Sequence, residues 1–315
     1  MDVLVLGGAG QVGTELQALA WPDGVTVHAP GRAELDITDA DAVAAALAAR
    51  AYRAVINTAA YTAVDKAESD VVAAWRLNAL APAILAAATA ARSIPLVHVS
   101  TDYVFAGTRP DGAYAPDAPI DPQSVYGASK AAGELAVRTG NPRHAVVRTA
   151  WVVSPHRGNF VKTMLRLAAE RDALTVVNDQ HGCPTSAADL AAALATIAQA
   201  MAADPEAPAG TFHCVNRGDT TWCGFAEAIV AGSARRGGRA VPVKGIPTSA
   251  YPTPARRPAN SRLSTDSLTA ASDIAPRTRR DAHCWPGQLH HPRRQPFELV
   301  ELWAGPASVE RHLYC

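Results

Sequence analysis

This sequence of 315 residues lacks a charge imbalance, regularly spaced cysteines and a basic leader segment. Its 29 Lys and Arg balance 29 Asp and Glu, so it lacks the basic excess of proteins dedicated to nucleic acids or acidic membranes. The five cysteines include no CxxC pair, which predicts neither a zinc site nor a disulfide framework. We therefore expect a small ligand and a reducing, cytoplasmic environment.

The apolar stretches are too short to predict a membrane segment. Residues 78–91 are uncharged but contain Pro82, and they fall short of the ~20 residues of a membrane-spanning helix. The first apolar run ends at Gly7 and follows an acidic residue, Asp2, instead of the basic segment of a signal peptide. We expect no membrane partner.

Short apolar runs alternate with Ala-rich runs in the first half of the chain. The apolar runs predict strands that are buried on both faces, at residues 3–7, 25–29, 54–60, 95–100 and 144–150. The Ala-rich runs predict helices at residues 12–20, 40–50, 69–93 and 126–139. Parallel neighbours need long crossovers, so this alternation predicts an α/β fold with a doubly wound parallel sheet of the Rossmann type.

A glycine-rich turn follows the first predicted strand. Gly7, Gly10 and Gly13 form a GxxGxxG array that opens the first helix. One glycine permits the tight turn, another lets a diphosphate approach the backbone, and the third lets helix and strand pack closely. An ordinary strand-to-helix turn is the alternative, but the strand-turn-helix setting favours a dinucleotide site.

The residues after the second strand bear on which dinucleotide is bound. An acidic residue there would hold the ribose of NAD, whereas an arginine accommodates the 2′-phosphate of NADP. The sequence has Arg32 and no carboxylate at the strand end, which favours NADPH and leaves NADH open. Asp36 lies either beside the adenine or as a cap of the helix that begins near Asp39.

These patterns predict a division of the chain into two domains and a tail. We expect an NADP-binding Rossmann domain over residues 1–150 that takes back a strand near residues 211–216. Helices predicted at residues 160–171, 187–202 and 222–233, with Pro-rich loops between them, indicate a smaller, mainly substrate-binding domain over residues 151–274. Residues 275–315 show no helical or strand periodicity, so we expect an atypical, disordered tail.

A tyrosine, a lysine and a strand-end threonine form a candidate catalytic set. In "YGASK", Tyr126 and Lys130 are one helical turn apart and share a face. Thr101 ends an interior strand, where doubly wound sheets bind ligands. We expect Lys130 to lower the pKa of Tyr126 and to hold the nicotinamide ribose, Tyr126 to donate a proton to a carbonyl as hydride arrives, and Thr101 to bind that oxygen. Taken singly, these residues have ordinary structural roles as alternatives.

Together the motifs resemble extended short-chain dehydrogenases/reductases. The blocks "NTAAYTAVDKAESD", "STDYVFAG", "VYGASKAAGE" and "VVNDQHGCPTSAADLA" make the chain up to about residue 274 similar to the dTDP-4-dehydrorhamnose reductase family. The resemblance implies NADPH-dependent reduction of the C4 ketone of dTDP-4-dehydro-L-rhamnose, the last step toward the dTDP-L-rhamnose of cell-wall polysaccharides. Another sugar-nucleotide epimerase or reductase of the superfamily, and a non-catalytic NADP-binding regulatory subunit, are the alternatives.

The resemblance also implies roles for individual residues. Thr101, Tyr126 and Lys130 are implied as catalytic. The residues implied at the cofactor, beside the glycines and Arg32, are Gln11, Val12, Asp36, Ile37, Ala59, Ala60, Tyr61, Tyr126 and Lys130. Those implied at the sugar nucleotide are Thr62, Val64, Thr101, Asp102, Tyr103 and Trp151. Asn159 and Lys162 are candidates for the diphosphate, with a plain surface position as the alternative.

The resemblance raises the question of a metal. Some family members bridge a dimer with Mg²⁺ through acidic side chains, one of them near the first helix. Glu15 lies at such a place, but no equivalent acidic pair follows it, so we predict no metal and expect Glu15 to be an ordinary helix-surface carboxylate. A homodimer is left open.

Overall fold

The computed structural model describes residues 1–272 and 274–279. Most of the predicted tail, residues 280–315, lies outside the described residues. The strands are β1 (Asp2–Leu6), β2 (Thr26–His28), β3 (Tyr52–Asn57), β4 (Leu96–Thr101), β5 (His144–Thr149), β6 (Val152–Val153), β7 (Leu174–Val177), β8 (His181–Gly182), β9 (Thr185–Ser186), β10 (Gly210–His213), β11 (Thr220–Thr221), β12 (Val243–Ile246) and β13 (Asn260–Ser261). The α-helices are α1 (Gln11–Ala18), α2 (Ala40–Ala48), α3 (Val64–Ala67), α4 (Val71–Trp75), α5 (Ala81–Ala90), α6 (Val125–Gly140), α7 (Phe160–Glu170), α8 (Ala187–Ala203), α9 (Trp222–Ala234) and α10 (Asp266–Ser272).

Six strands form one parallel sheet in the order β10-β5-β4-β3-β1-β2. The strand order reverses between β1 and β3, and ligands of such sheets bind outside the carboxyl ends of the strands at that point. The prediction of an α/β, doubly wound parallel sheet is confirmed.

The interior strands of the sheet are buried on both faces, as predicted, whereas the prediction is wrong for β2, which lies at the edge with Thr26 exposed. Successive side chains of a strand point to opposite faces. Val3 and Val5 therefore pack with α1 and α8, whereas Leu4 and Leu6 pack with α2 and α5. Each face buries its own apolar cluster, so the sheet forms the central layer of a three-layer structure.

Smaller elements lie beyond the carboxyl edge of the large sheet. They are the parallel pairs β6–β9 and β7–β12 and the three-stranded sheet β11-β8-β13, with α7 and α9 packed together beside β7. The chain also returns to the large sheet after residue 150, because β10 pairs with β5 and α8 packs against β3 and β4. The domain boundary at residue 150 stays a prediction.

The helical stretch Val71–Ala90 is long and apolar enough, by length and composition, to cross a membrane. It contains α4, a π-helical turn at Arg76–Leu80, and α5. Leu85 and Ala86 of this stretch are buried against the large sheet. A core helix passes the same test, so this feature is weak evidence for membrane contact.

Candidate active site

The glycine turn forms a narrow cradle at the end of β1. Gly7 has a φ of 82°, and a Cβ there would lie 2.6 Å from the backbone nitrogen of Ala59. A Cβ on Gly13 would lie 2.2 Å from the carbonyl oxygen of Gly7. Gly10 precedes α1 and gives it no side-chain cap, so backbone N–H groups at the helix start are left to a ligand. The turn therefore fits a dinucleotide diphosphate.

A cleft of about 1100 Å³ opens along the carboxyl edge of the sheet and passes over this turn. Every residue predicted for catalysis, cofactor or sugar nucleotide lines it, with the exception of Gly13. Gly13 lies behind the turn and lets α1 approach Gly7. Asn159 and Lys162, the diphosphate candidates, do not line the cleft either.

One end of the cleft carries two arginines and a fixed carboxylate. The Asp36 carboxylate accepts hydrogen bonds from the Thr38 backbone N–H at 2.9 Å and the Thr38 hydroxyl at 2.8 Å, and these bonds lower its pKa. Helix α2 is capped by Asp39 itself, so the alternative of Asp36 as the cap is wrong. Arg76 donates from Nε to the Thr38 hydroxyl at 3.1 Å and lines this end of the cleft with Arg32.

The loop after β3 is held by a buried asparagine. Asn78 accepts from the Tyr61 backbone N–H at 2.8 Å and donates to the Tyr61 carbonyl at 3.1 Å. Its Nδ2 also donates to the Ser129 hydroxyl, 3.0 Å away on α6. Asn78 lies in the π-helical turn, and such turns are frequent at functional sites. This side chain fixes the predicted cofactor loop relative to the helix that carries Tyr126.

Helix α6 approaches the cleft closely because the residues between Tyr126 and Lys130 are small. A Cβ on Gly127 would lie 2.2 Å from the Tyr103 carbonyl oxygen, so only glycine allows this contact. Ser124 caps the helix by accepting from the Gly127 backbone N–H at 3.1 Å. The local sequence thereby places one helical turn, with both candidate catalytic side chains, beside the end of β4.

Tyr126 is buried, with Tyr103 packed edge-on against its ring at a centroid distance of 5.4 Å. Burial raises the pKa of Tyr126 to about 12, and a hydrogen bond with the Thr101 side chain acts in the opposite direction. The expectation that Lys130 lowers this pKa is wrong, because Lys130 is not among the groups that shift it and burial raises it. The phenol is therefore protonated at neutral pH and available as a proton donor.

Lys130 points to the sheet and belongs to a buried polar row. Its Nζ donates to the Val99 carbonyl at 2.6 Å and lies 3.5 Å from His98 Nε2, while Asn57 Nδ2 contacts His98 Nδ1 at 3.0 Å. Burial lowers the pKa of Lys130 to about 8, and the Glu134 carboxylate one turn along α6 raises it. Burial and the lysine charge hold the pKa of His98 well below its ordinary value, so His98 stays neutral.

Thr101 and Asp102 mark the end of β4 in the cleft. The Thr101 hydroxyl donates to Asp102 Oδ1 at 2.9 Å and accepts from the Tyr103 backbone N–H at 3.2 Å. Burial raises the pKa of the Asp102 carboxyl to about 6, against the opposing effect of hydrogen bonds from Ser261 and Thr101. This end of the strand therefore presents a fixed hydroxyl and a weakly acidic carboxyl.

An aromatic wall closes the other side of the cleft. The indole of Trp151 stacks on that of Trp222, with ring centroids 3.6 Å apart and planes 12° from parallel. Trp151 has a φ of 50°, an uncommon conformation for a residue other than glycine. A Cβ on Gly182 would lie 2.5 Å from its ring, so the indole fills the space over that glycine. Both tryptophans line the cleft.

The segment of residues 152–159, here called the strap, crosses to the start of α1. Gln11 Oε1 accepts from the Ser154 hydroxyl at 2.8 Å and from Asn159 Nδ2 at 2.9 Å, and Gln11 Nε2 donates to the Val152 carbonyl at 3.4 Å. Arg157 donates from Nε to the Ala9 carbonyl at 2.7 Å. These four contacts tie the aromatic wall to the glycine turn.

Glu15 belongs to the same contact region and is not an ordinary surface carboxylate. Its side chain is 11 % exposed and lies 3.1 Å from His156 Nε2. Burial raises its pKa, while the charge and hydrogen bonding of His156 lower it. Within residues 1–272 and 274–279, no group of three or more His, Cys, Asp or Glu side chains is arranged to hold a metal. The expectation of no metal stays a prediction.

Comparison with known families identifies the chain. The family model described as "RmlD substrate binding domain" matches residues 1–283. A dTDP-4-dehydrorhamnose reductase of Sinorhizobium fredii is 44% identical over 269 residues, which cover 85% of this chain and 90% of that protein. This chain belongs to the dTDP-4-dehydrorhamnose reductase family.

Solved structures of dTDP-4-dehydrorhamnose reductases have the same fold. The structure from Clostridium acetobutylicum is 36% identical, with a TM-score of 0.84 over 90% of this chain and 97% of that one. The structure from Bacillus anthracis in complex with NADP is 32% identical, with a TM-score of 0.82 over 89% and 96%.

Several residues of this dTDP-4-dehydrorhamnose reductase family member belong to the site although they were not predicted. Among them, Arg76, Arg157 and Trp222 line the cleft, and Asn78 fixes a loop beside it. Asn78 is a polar residue in an otherwise apolar helical stretch. This is the one sequence signal that could have identified any of these residues. The other three are placed by contacts between distant parts of the chain.

Proposed function

We propose that this protein reduces the C4 ketone of dTDP-4-dehydro-L-rhamnose to dTDP-L-rhamnose with NADPH, in dTDP-rhamnose biosynthesis. The observation that carries the proposal is that Thr101, Tyr126 and Lys130 line one cleft with a glycine cradle that fits a diphosphate. Membership in the dTDP-4-dehydrorhamnose reductase family supports the same substrate. NADPH, when bound, supplies the hydride.

Tyr126 is the proton donor in this proposal. Hydride addition to a ketone generates an alkoxide, which is a far stronger base than a phenolate, so a phenol with a pKa of about 12 is acidic enough to protonate it. Thr101 orients the Tyr126 hydroxyl, and its own hydroxyl proton would turn from Asp102 to the same substrate oxygen. Lys130 is charged below its pKa of about 8 and would hold the nicotinamide ribose.

The preference for NADPH rests on the end of the cleft that holds Arg32 and Arg76. Two guanidinium groups beside a fixed Asp36 suit a 2′-phosphate, and the Bacillus anthracis relative was solved with NADP. NADH would bind with lower affinity. The free, buried Cys183, Cys214 and Cys223 suit the cytoplasm as location. A homodimer stays a prediction of the family resemblance.

The test follows NADPH absorbance with dTDP-4-dehydrorhamnose, for the wild type, Tyr126→Phe and a control. We expect Tyr126→Phe to lower kcat by about 10²- to 10⁴-fold, as for loss of a general acid, and to weaken NADPH binding far less. Tyr52→Phe is the matched control, since Tyr52 is a buried tyrosine outside the cleft. Undiminished turnover in Tyr126→Phe would exclude it as the donor. Failure of the wild type to oxidise NADPH would overturn the proposed reaction.

A further inference from the structure

The strap presents one arginine directly to the glycine turn. Arg157 donates from Nε to the carbonyl of Ala9, and it lines the cleft. Its φ of 60° lies in the left-handed region, where residues other than glycine are uncommon. A backbone held in that region at a ligand cleft points to a functional constraint on the side chain.

Position singles out Arg157 among the cations of the cleft. In the described part of the chain, the cationic side chains that line it are Arg32, Arg76, Lys130 and Arg157. Arg32 and Arg76 lie at the Thr38 end, and Lys130 is buried with its Nζ on the Val99 carbonyl. Arg157 is therefore the cation beside the turn that fits a diphosphate.

The polar side chain at the start of α1 is already occupied. Both ends of the Gln11 amide are bonded to the strap, through Ser154, Asn159 and Val152. Gln11 can therefore offer a diphosphate its backbone N–H and the second proton of Nε2, but no positive charge. Arg157 differs: among the described residues its one hydrogen bond uses Nε, which leaves the two terminal amino groups of the guanidinium as donors.

We propose that Arg157 binds a phosphate of the cofactor diphosphate, with Nε fixed on Ala9 and the terminal amino groups on the phosphate. Paired N–H donors of a guanidinium match phosphate oxygens bidentately and form strong, charge-assisted bonds. The inference rests on the proposed dinucleotide function of the cleft. The glycine motif itself contains no positively charged side chain. Arg157 would supply that charge to the diphosphate.

The anchor on Ala9 separates the two diphosphates that the cleft would receive. The sugar nucleotide also carries a diphosphate, so the chemistry alone fits both ligands. Ala9 belongs to the glycine turn, which places the guanidinium on the cofactor side. NADP⁺ and dTDP therefore serve as the two probes, titrated separately against the full-length protein.

The experiment measures dissociation constants by quenching of tryptophan fluorescence for Arg157→Gln, Arg157→Lys and Arg157→Gly. We expect Arg157→Gln to weaken NADP⁺ binding by about 10- to 100-fold, the loss typical of a hydrogen-bonded charge, and to leave dTDP binding unchanged. Arg157→Lys keeps the charge but not the fork, so it should fall between. Arg157→Gly relieves the backbone conformation and should weaken binding as much as Arg157→Gln.

Salt dependence and a distant arginine provide the controls. Wild-type affinity for NADP⁺ should fall more steeply between 50 and 200 mM NaCl than that of Arg157→Gln, since one screened charge pair is gone. Arg236→Gln is the matched variant, because Arg236 is exposed and bonds the Gly232 carbonyl away from the cleft. Unchanged NADP⁺ affinity in Arg157→Gln, or a loss confined to dTDP, would overturn the assignment. The NADP⁺ and dTDP titrations measure binding alone, so their outcome does not depend on whether dTDP-4-dehydrorhamnose is turned over.

Discussion

The buried ion pair beneath Lys130 allows a sharp test through Glu134→Gln. Glu134 accepts from Arg148 Nε at 2.8 Å and from Nη2 at 2.7 Å, and the two side chains are 0% and 1% exposed. Arg148 keeps the Pro116 carbonyl at 3.0 Å and the Phe105 ring at 4.9 Å when the carboxylate is removed. Neither partner carries a charge, so the guanidinium charge would remain buried without compensation.

Removing one partner of a buried pair destabilises a protein by about 3–5 kcal/mol. We expect Glu134→Gln at the lower end, roughly 3 kcal/mol, since the amide oxygen still accepts one hydrogen bond. For a chain of 315 residues that corresponds to a fall in Tm of roughly 4–6 °C, at about 1.5–2 °C per kcal/mol.

The same substitution removes the charge that raises the pKa of Lys130. Lys130 is charged below its pKa of about 8 and loses that charge as the pH rises. If charged Lys130 is required, the alkaline limb of kcat/KM lies near this pKa in the wild type and moves to lower pH in Glu134→Gln.

Thermal unfolding and a pH profile measure both effects, with Glu170→Gln as control. Glu170 pairs with Arg166 at 2.9 Å on an exposed face of α7, where such pairs contribute only about 0.3–0.5 kcal/mol. Equal losses of Tm in the two variants would refute the reasoning on burial. An alkaline limb that stays in place would refute the link between Glu134 and Lys130.

Two glycine substitutions test the cleft sterically. Gly182→Ala should displace the Trp151 indole, since its Cβ would lie 2.5 Å from the ring, and raise KM for the sugar nucleotide by about tenfold or more with NADP⁺ affinity unchanged. Gly232→Ala, in an open helical position, is its control, and an unchanged KM would contradict the proposed wall. Gly13→Ala should instead affect the cofactor, because its Cβ would lie 2.2 Å from the Gly7 carbonyl oxygen. Calorimetry should show weakened NADP⁺ binding and a loss of stability of about 1–3 kcal/mol. Wild-type NADP⁺ affinity in Gly13→Ala would disprove the close packing.

The sequence predicted the interior strands of the large sheet well because they are buried on both faces. A run without polar side chains is typical of such a buried strand, so β1 at Asp2–Leu6 matches the predicted residues 3–7 closely. The helix at Val125–Gly140 likewise contains the predicted residues 126–139, since its start is marked by Ser124.

The electrostatics of the site could not be predicted from spacing alone. The four-residue interval puts Tyr126 and Lys130 on one face, but it does not reveal that Lys130 reaches the Val99 carbonyl of β4. The raised pKa of Tyr126 depends on how completely its surroundings exclude water, which is set by tertiary packing. Trp222 and Arg157 enter the cleft through contacts that local periodicity does not encode.

The late position of α8 in the chain has a consequence for biosynthesis. Leu190 and Leu194 of this helix cover Val3 and Ile56, which are translated much earlier. Until α8 has left the ribosome, the nascent sheet has one apolar face without its cover, and such surfaces promote aggregation. We therefore expect polypeptides truncated before residue 187 to need chaperones, although they contain the whole catalytic set.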